Sequence, residues 1–295
     1  MITIRSDRVI SSSSTAMRNP ALLYSLPVRY SNRFGQKRQD RDLPYPMTNL
    51  AGKRIWQMKG VGKMAEQIEV RTVQFKSDGD TVRAYLASPR RREAAPGVLV
   101  IHEWWGLNDW VKQQADALAK EGYVALAVDL YRGKVASEVM EAHELSRGLP
   151  EDRALRDLKA GFQYLRRLPQ TRGKRVGVIG WCMGGGWALT LALNEPQLGA
   201  CVIYYGRLLT DEAALKRLAC PVLGIFGDRD RGIPVELVRA FESEMRRLRK
   251  RVEIHIFPNA GHAFANPNNQ QGYHREAAEK AWQITLQFLQ RTLGR

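Results

Sequence analysis

Cysteine is scarce in this 295-residue chain, with three residues, and acid is scarce relative to base, with 30 Asp and Glu against 46 Lys and Arg. Three cysteines without paired spacing exclude a disulfide framework and a cysteine-based zinc site, and they point to a reducing compartment. No apolar run approaches the length needed to span a bilayer, and no secretory h-region is present, so the expectation is a soluble, cytoplasmic protein. No nucleic-acid motif accompanies the positive charge. Basic runs such as Arg90-Arg91-Arg92 and the stretch 246–251 read as solvated loops or helix faces. Metal and cofactor sites are not expected, and neither nucleic acid nor membrane is expected as a partner.

Acid is scarcest in residues 1–63, where 12 Lys and Arg face 3 Asp. This stretch holds Ser11 to Ser14 in a row and shows no apolar period, so it is expected to be a basic, disordered extension. Three explanations compete, in this order: an upstream start codon with the working chain beginning near Met58 or Met64, an organelle transit peptide, and a basic tail that touches nucleic acid or anionic membrane. Of the formal charge of +16, nine charges belong to this extension.

What remains, 64–295, is long enough for one α/β domain with a full core. Apolar runs at 97–101, 123–128, 175–179, 199–204, 221–226 and 252–257 read as strands. Stretches near 109–121, 151–167, 187–194, 235–249 and 273–292 read as helices, that at 187–194 an apolar one. The alternation predicts a mostly parallel, doubly wound sheet with flanking helices. The runs Ile68–Phe75 and Thr81–Ala87, separated by Lys76 to Asp80, predict an antiparallel hairpin at one sheet edge.

The run Gly180-Trp181-Cys182-Met183-Gly184 joins a buried strand to a glycine-rich helix start. It reads as a nucleophile elbow with cysteine in place of the usual serine. Glycine at 180, 184, 185 and 186 leaves room for so sharp a corner. Free N–H groups at the helix start favour thiolate and any oxyanion formed beside it. The competing reading is a small buried hydrophobe, which is how Cys201 and Cys220 read.

A cysteine nucleophile needs a base and a group to orient that base, and both follow in chain order. Asp228 and Asp230 lie at the carboxyl end of the strand 221–226. The spacing Gly227-x-x-Asp230-x-x-Ile233-Pro234 favours Asp230, leaving Asp228 as a turn or capping residue. His262 sits on the loop after the next strand, where open α/β sheets build their sites. His143 and His274 fall in polar helical stretches and read as solvated, and His255 belongs to an alternating strand.

Five markers in order, His102-Glu103-Trp104-Trp105-Gly106, Asp129-Leu130-Tyr131, Gly180-Trp181-Cys182-Met183-Gly184-Gly185, Gly227-x-x-Asp230 and Gly261-His262-Ala263-Phe264-Ala265, resemble the dienelactone hydrolase family of α/β-hydrolases. The likeness runs from about Glu69 to the C-terminus. It implies the α/β-hydrolase fold, a Cys182, Asp230 and His262 triad, and Glu103 close to the thiol at rest, where it influences the thiol's charge. The oxyanion donors would be the backbone N–H groups of Trp104 and Met183. Trp105, Tyr131, Arg132 and Asn266 are the candidates for substrate contact.

The chain departs from the family at two arginines expected to hold the dienelactone carboxylate. Asn266 occupies one position and Gly133 the other, with Arg132 shifted by one residue. A neutral amide does not replace a bidentate ion pair. The expected activity is hydrolysis of a small-molecule lactone or activated ester through a cysteine nucleophile and acyl-enzyme, with dienelactone itself a doubtful substrate. Alternatives are a general carboxylesterase or thioesterase, and a non-catalytic scaffold that binds a lactone. Oligomeric state is not readable.

Overall fold

A two-residue turn joins the first two strands. The computed structural model describes residues 67–294, so the expected basic extension 1–63 lies outside the described residues. Strands β1 (Ile68–Ser77) and β2 (Asp80–Pro89) pair antiparallel along their full lengths. The turn between them is shorter than the sequence implied, because pairing continues through Lys76 with Thr81 and Ser77 with Asp80. Asp78 and Gly79 carry φ of +47° and +86°. Positive φ at both central positions matches the right-handed twist of a tight hairpin, and Asp-Gly tolerates it.

The hairpin edges an eight-stranded sheet. Its remaining strands are β3 (Gly97–Ile101), β4 (Val124–Val128), β5 (Val176–Trp181), β6 (Ala200–Tyr204), β7 (Val222–Gly227) and β8 (Val252–Phe257). The order is β1-β2-β4-β3-β5-β6-β7-β8, antiparallel from β1 to β4 and parallel from β4 to β8. Between strands run α1 (Asp109–Lys120), α2 (Val139–Arg147), α3 (Glu151–Arg167), α4 (Met183–Asn194), α5 (Glu212–Lys216) and α6 (Val235–Arg247), and α7 (Arg275–Leu293) follows β8.

Residues of β3 and β4 are buried on both faces, as continuous apolar runs in a covered parallel sheet should be. Because side chains alternate, Leu99 and Ile101 belong to one apolar layer with Leu158 and Phe162 of α3 and Phe241 of α6, while Val98 and Val100 belong to the other with Val111 and Ala115 of α1 and Leu289 of α7. Two apolar layers result, and the loops after the parallel strands gather at their carboxyl ends.

Three helices and one histidine differ from the sequence reading. Helix α4 begins at Met183 rather than 187. The glycines at 184 to 186 have poor helix propensity, but close packing keeps them helical: a Cβ on Gly184 would strike the carbonyls of Ile101 and His102. Helix α2 was legible only as a polar helical stretch around His143, and α5, with five residues, was too short to show a period. His274 is not a helix-face residue. It is the N-cap of α7, and its Nδ1 accepts from the Ala277 N–H at 3.3 Å.

Candidate active site

The site grows from the corner between β5 and α4. Cys182 has φ +53° and ψ −118°, a left-side conformation that an L-residue occupies only under constraint from its surroundings. The constraint is visible on both sides. The Cys182 N–H donates to the Tyr204 carbonyl at 2.9 Å, and its own carbonyl accepts from Gly185 at 3.0 Å. A Cβ on Gly180 would collide with Gly184 backbone, so the strand and the helix approach as closely as backbone allows. The sulfur is partly exposed, whereas Cys201 and Cys220 are buried and burial pushes their thiols up.

His262 arrives from the loop after β8 and Asp230 from the loop after β7. The His262 Nε2 lies 3.1 Å from Cys182 Sγ, and Nδ1 lies 2.7 Å from Asp230 Oδ2. The other Asp230 oxygen accepts from the N–H groups of Gly232 at 2.8 Å and Ile233 at 3.1 Å. With both oxygens occupied and the side chain fully buried, the carboxylate is fixed in position. Asp228 is exposed on the same loop and takes no part. The His262 imidazole is pushed up to about 11: burial opposes its charge, but the hydrogen bonds and charges of Asp230 and Cys182 outweigh that.

Glu103 follows β3 and is 2% exposed. Its Oε2 accepts from Asn266 Nδ2 at 2.6 Å, while Oε1 has no well-formed hydrogen bond. Burial pushes this carboxyl up to about 7, against the hydrogen bond from Asn266 and the charge of His262. Asn266 is thus in contact with Glu103, at 3% exposure, and not laid open to a substrate. Tyr205, wholly buried, interacts with both Glu103 and Cys182 and packs edge-on against His262 with ring centroids 5.3 Å apart.

His102 fastens the loop that carries Glu103. Its Nδ1 lies 2.6 Å from the Glu103 carbonyl, and Nε2 lies 3.3 Å from the Leu130 N–H. A carbonyl only accepts and an N–H only donates, so the ring is the neutral Nδ1–H tautomer. Burial lowers its pKa, which agrees.

The backbone N–H groups of Trp104 and Met183 face no turn or cap carbonyl among the described residues. The packing of Gly184 on the carbonyls of residues 101 and 102 brings the start of α4 against the loop that begins with Trp104. Tyr131 donates to Met183 Sδ at 3.2 Å, and its hydroxyl is pushed up first by burial, with Cys182 adding to the shift. Trp104 and Trp105 are half-buried and meet edge-on at 5.2 Å.

Arg132 goes elsewhere. Its guanidinium pairs with Asp157 at 2.7 Å and Asp80 at 3.6 Å, contacts that the sequence reading did not foresee. His143 is not simply solvated either: its ring packs edge-on against Trp104 at 4.8 Å. One turn of α2 therefore lies over Trp104 and Met183, since Ser146, three residues on, reaches Met183 Sδ at 3.6 Å. Sequence reading passed over Tyr205, Ser146 and His143. Tyr205 lies one residue past the end of β6, with no motif around it, and the other two act through tertiary contacts that no local pattern encodes. Among the described residues no cluster of three metal-ligating side chains occurs, and no helix is long and apolar enough to cross a membrane.

A mostly parallel sheet with an elbow after its middle strand, and an acid and a histidine on later loops, defines an α/β-hydrolase. The chain matches the dienelactone hydrolase family over residues 82–293, and it belongs to that family. Among its relatives, a Saccharolobus solfataricus protein provisionally named carboxymethylenebutenolidase is 31% identical over 260 residues, covering 74% of this chain and 96% of that one. A Bradyrhizobium protein, "Probable 2-oxo-3-(5-oxofuran-2-ylidene)propanoate lactonase", is 31% identical over 237 residues, covering 76% and 95%. A dienelactone hydrolase-like promiscuous phosphotriesterase from metagenomic libraries is 25% identical in a solved structure, with a TM-score of 0.71 over 77% of this chain and 99% of that one.

Proposed function

We propose that this protein hydrolyses a lactone or activated carboxylic ester through Cys182. The observation that carries the proposal is the hydrogen-bonded chain Asp230, His262, Cys182, at 2.7 and 3.1 Å, set at a strained strand-to-helix corner. Family membership and relatives named for lactone hydrolysis support the reaction class.

Cys182 Sγ, as thiolate, attacks the carbonyl carbon. The carbonyl electron pair moves onto oxygen and is held by the N–H groups of Trp104 and Met183. One such donor contributes about 3 to 4 kcal/mol to a transition state of this kind. When the tetrahedral species collapses, the C–O bond breaks and His262 Nε2 gives its proton to the departing alkoxide. In a lactone that alcohol stays tethered to the acyl group. His262 then takes a proton from water, whose oxygen attacks the thioester, and the thiolate leaves. Asp230 keeps Nδ1 facing itself, so that Nε2 faces the sulfur.

Strained lactones and activated esters suit a thiolate, which leaves as readily as it attacks, and amides do not. The lining supports a neutral acyl group. Arg132 is paired with Asp157 and Asn266 is uncharged, while Trp104 and Trp105 offer an apolar wall. The same feature favours general carboxylesterase or thioesterase activity over dienelactone itself. An assembled proton relay has no purpose in a receptor that only binds. A protein that works through a free thiol belongs in a reducing compartment, and the cytoplasm is the site we propose.

The test is a turnover screen across lactones, thioesters and short esters, with iodoacetamide-treated enzyme as control. Cys182→Ala should lower kcat/KM by about a thousandfold or more while leaving the fold intact. Wild-type turnover in that variant overturns the mechanism.

A further inference from the structure

The two peptides read as oxyanion donors are built alike, and one of them owes this to a side chain. In a trans peptide the C=O and the N–H lie on opposite sides of one rigid plane, so fixing the carbonyl fixes where the N–H points. At the elbow, the carbonyl of the Cys182–Met183 peptide is held by two donors from the start of α4, the N–H groups of Gly185 at 3.0 Å and Gly186 at 3.3 Å. At the loop after β3, the carbonyl of the Glu103–Trp104 peptide receives one backbone donor, the Gly106 N–H at 3.2 Å. Its second donor is His102 Nδ1–H, at 2.6 Å. The N–H ends of both peptides, on Met183 and Trp104, donate to no protein acceptor among the described residues.

We propose that His102 is a positioning residue for the oxyanion hole: by donating Nδ1–H to the Glu103 carbonyl it sets the plane of the Glu103–Trp104 peptide and polarises it, so that the Trp104 N–H is aimed before an oxyanion forms. The inference rests on the reading of Trp104 and Met183 as donors to a carbonyl attacked by Cys182. A carbonyl that accepts a strong hydrogen bond makes the N–H at the other end of its peptide a better donor. Donors of this kind act because they need no rearrangement when charge develops. The ring itself is held in place. His102 is wholly buried, its Nε2 accepts from the Leu130 N–H at 3.3 Å, and the Tyr131 ring packs edge-on against it with centroids 4.8 Å apart. Neutral imidazole is the side chain that carries one donor and one acceptor nitrogen in a single rigid ring, and here it bridges the loop after β4 to the loop after β3. The Gly106 N–H alone would leave the peptide one longer bond about which to rock.

Two variants that share one defect and differ in another make the test. His102→Leu and His102→Asn both remove the acceptor for the Leu130 N–H and should both melt below wild type, but the Asn amide restores an N–H where the imidazole has Nδ1. On a nitrophenyl ester, His102→Leu should lower kcat about thirtyfold with KM unchanged, short of the roughly hundredfold or more that loss of a whole donor brings, while His102→Asn should stay within about threefold of wild type. Trifluoroacetone, whose carbonyl carbon bonds to Cys182 Sγ while its oxygen takes the electron pair, should inhibit His102→Asn as it does wild type and His102→Leu about thirtyfold less well. Iodoacetamide alkylation of Cys182 is a displacement at saturated carbon that forms no oxyanion, and it should run at one rate in all three proteins. The proposal is overturned if the two variants lose turnover equally, if His102→Leu keeps the wild-type kcat, or if alkylation slows along with turnover. Should a variant fail to fold, nitrogen NMR of the wild-type protein decides: His102 must carry its proton on Nδ1, and the Trp104 amide proton must move downfield when trifluoroacetone is added. The opposite tautomer or an unmoved amide overturns the proposal. Turnover that survives in Cys182→Ala would remove the nucleophile reading and this proposal with it, a failure told apart from the others because they leave Cys182→Ala inactive.

Discussion

At the residue scale, two side chains hold energy that the fold must offset elsewhere. Cys182 sits at φ +53° and ψ −118°, and a non-glycine residue in such a conformation costs on the order of 1–3 kcal/mol. Cys182→Gly should therefore be inactive yet more stable than Cys182→Ala by about 1 kcal/mol, because glycine relieves the strain that alanine keeps. Urea unfolding of the two variants is the check. Glu103 is the second. Its carboxyl is raised from 4.5 to about 7 by burial, so both folded and unfolded chains hold the proton at lower pH and the group then costs nothing. As pH rises through this window the unfolded chain ionises first, and stability is lost by up to about 3 kcal/mol at pH 7 and above. Glu103→Gln should match wild type in acid and exceed it at neutral pH by up to that amount. Equal unfolding midpoints at neutral pH would show that the carboxylate is already fully compensated.

At the scale of elements, the site depends on supports that carry no chemistry. Helix α3 holds the loop after β4 through the Asp157 to Arg132 pair, in which Asp157 is 1% exposed. Arg132→Met leaves that carboxylate buried without its cation, and the expected cost is about 3 kcal/mol of stability. KM for a neutral ester should stay at the wild-type value, since the guanidinium is paired with Asp157 of α3. Steady-state kinetics beside a melting curve separate the two roles. The elbow, the acid loop and the histidine loop were all legible as elements, because buried strands end in recognisable turns. The turn of α2 over Trp104 and Met183 was not. Val139–Arg147 has a mixed, mostly polar surface, and its stripe of His143 and Ser146 gains meaning only from Trp104 and Met183, which lie far off in the chain.

At the scale of the whole molecule, all the proposed site residues fall between 103 and 266, while nine of the sixteen excess positive charges lie in residues 1–63. A chain beginning at Met64 should keep the ester turnover of the full chain and lose whatever salt-dependent attraction it has for anionic surfaces. Turnover and heparin retention of the two lengths test this together. The sequence by itself determined the sheet, the hairpin and which cysteine, acid and histidine are the candidates for the site, because strand burial, turn chemistry and chain order are local properties. Tertiary structure alone decided that Arg132 pairs with Asp157, that Asn266 holds Glu103, and that Tyr205 packs against His262. Those outcomes follow from which loops the parallel strands bring to one edge of the sheet, and a polar side chain takes the partner that burial places beside it.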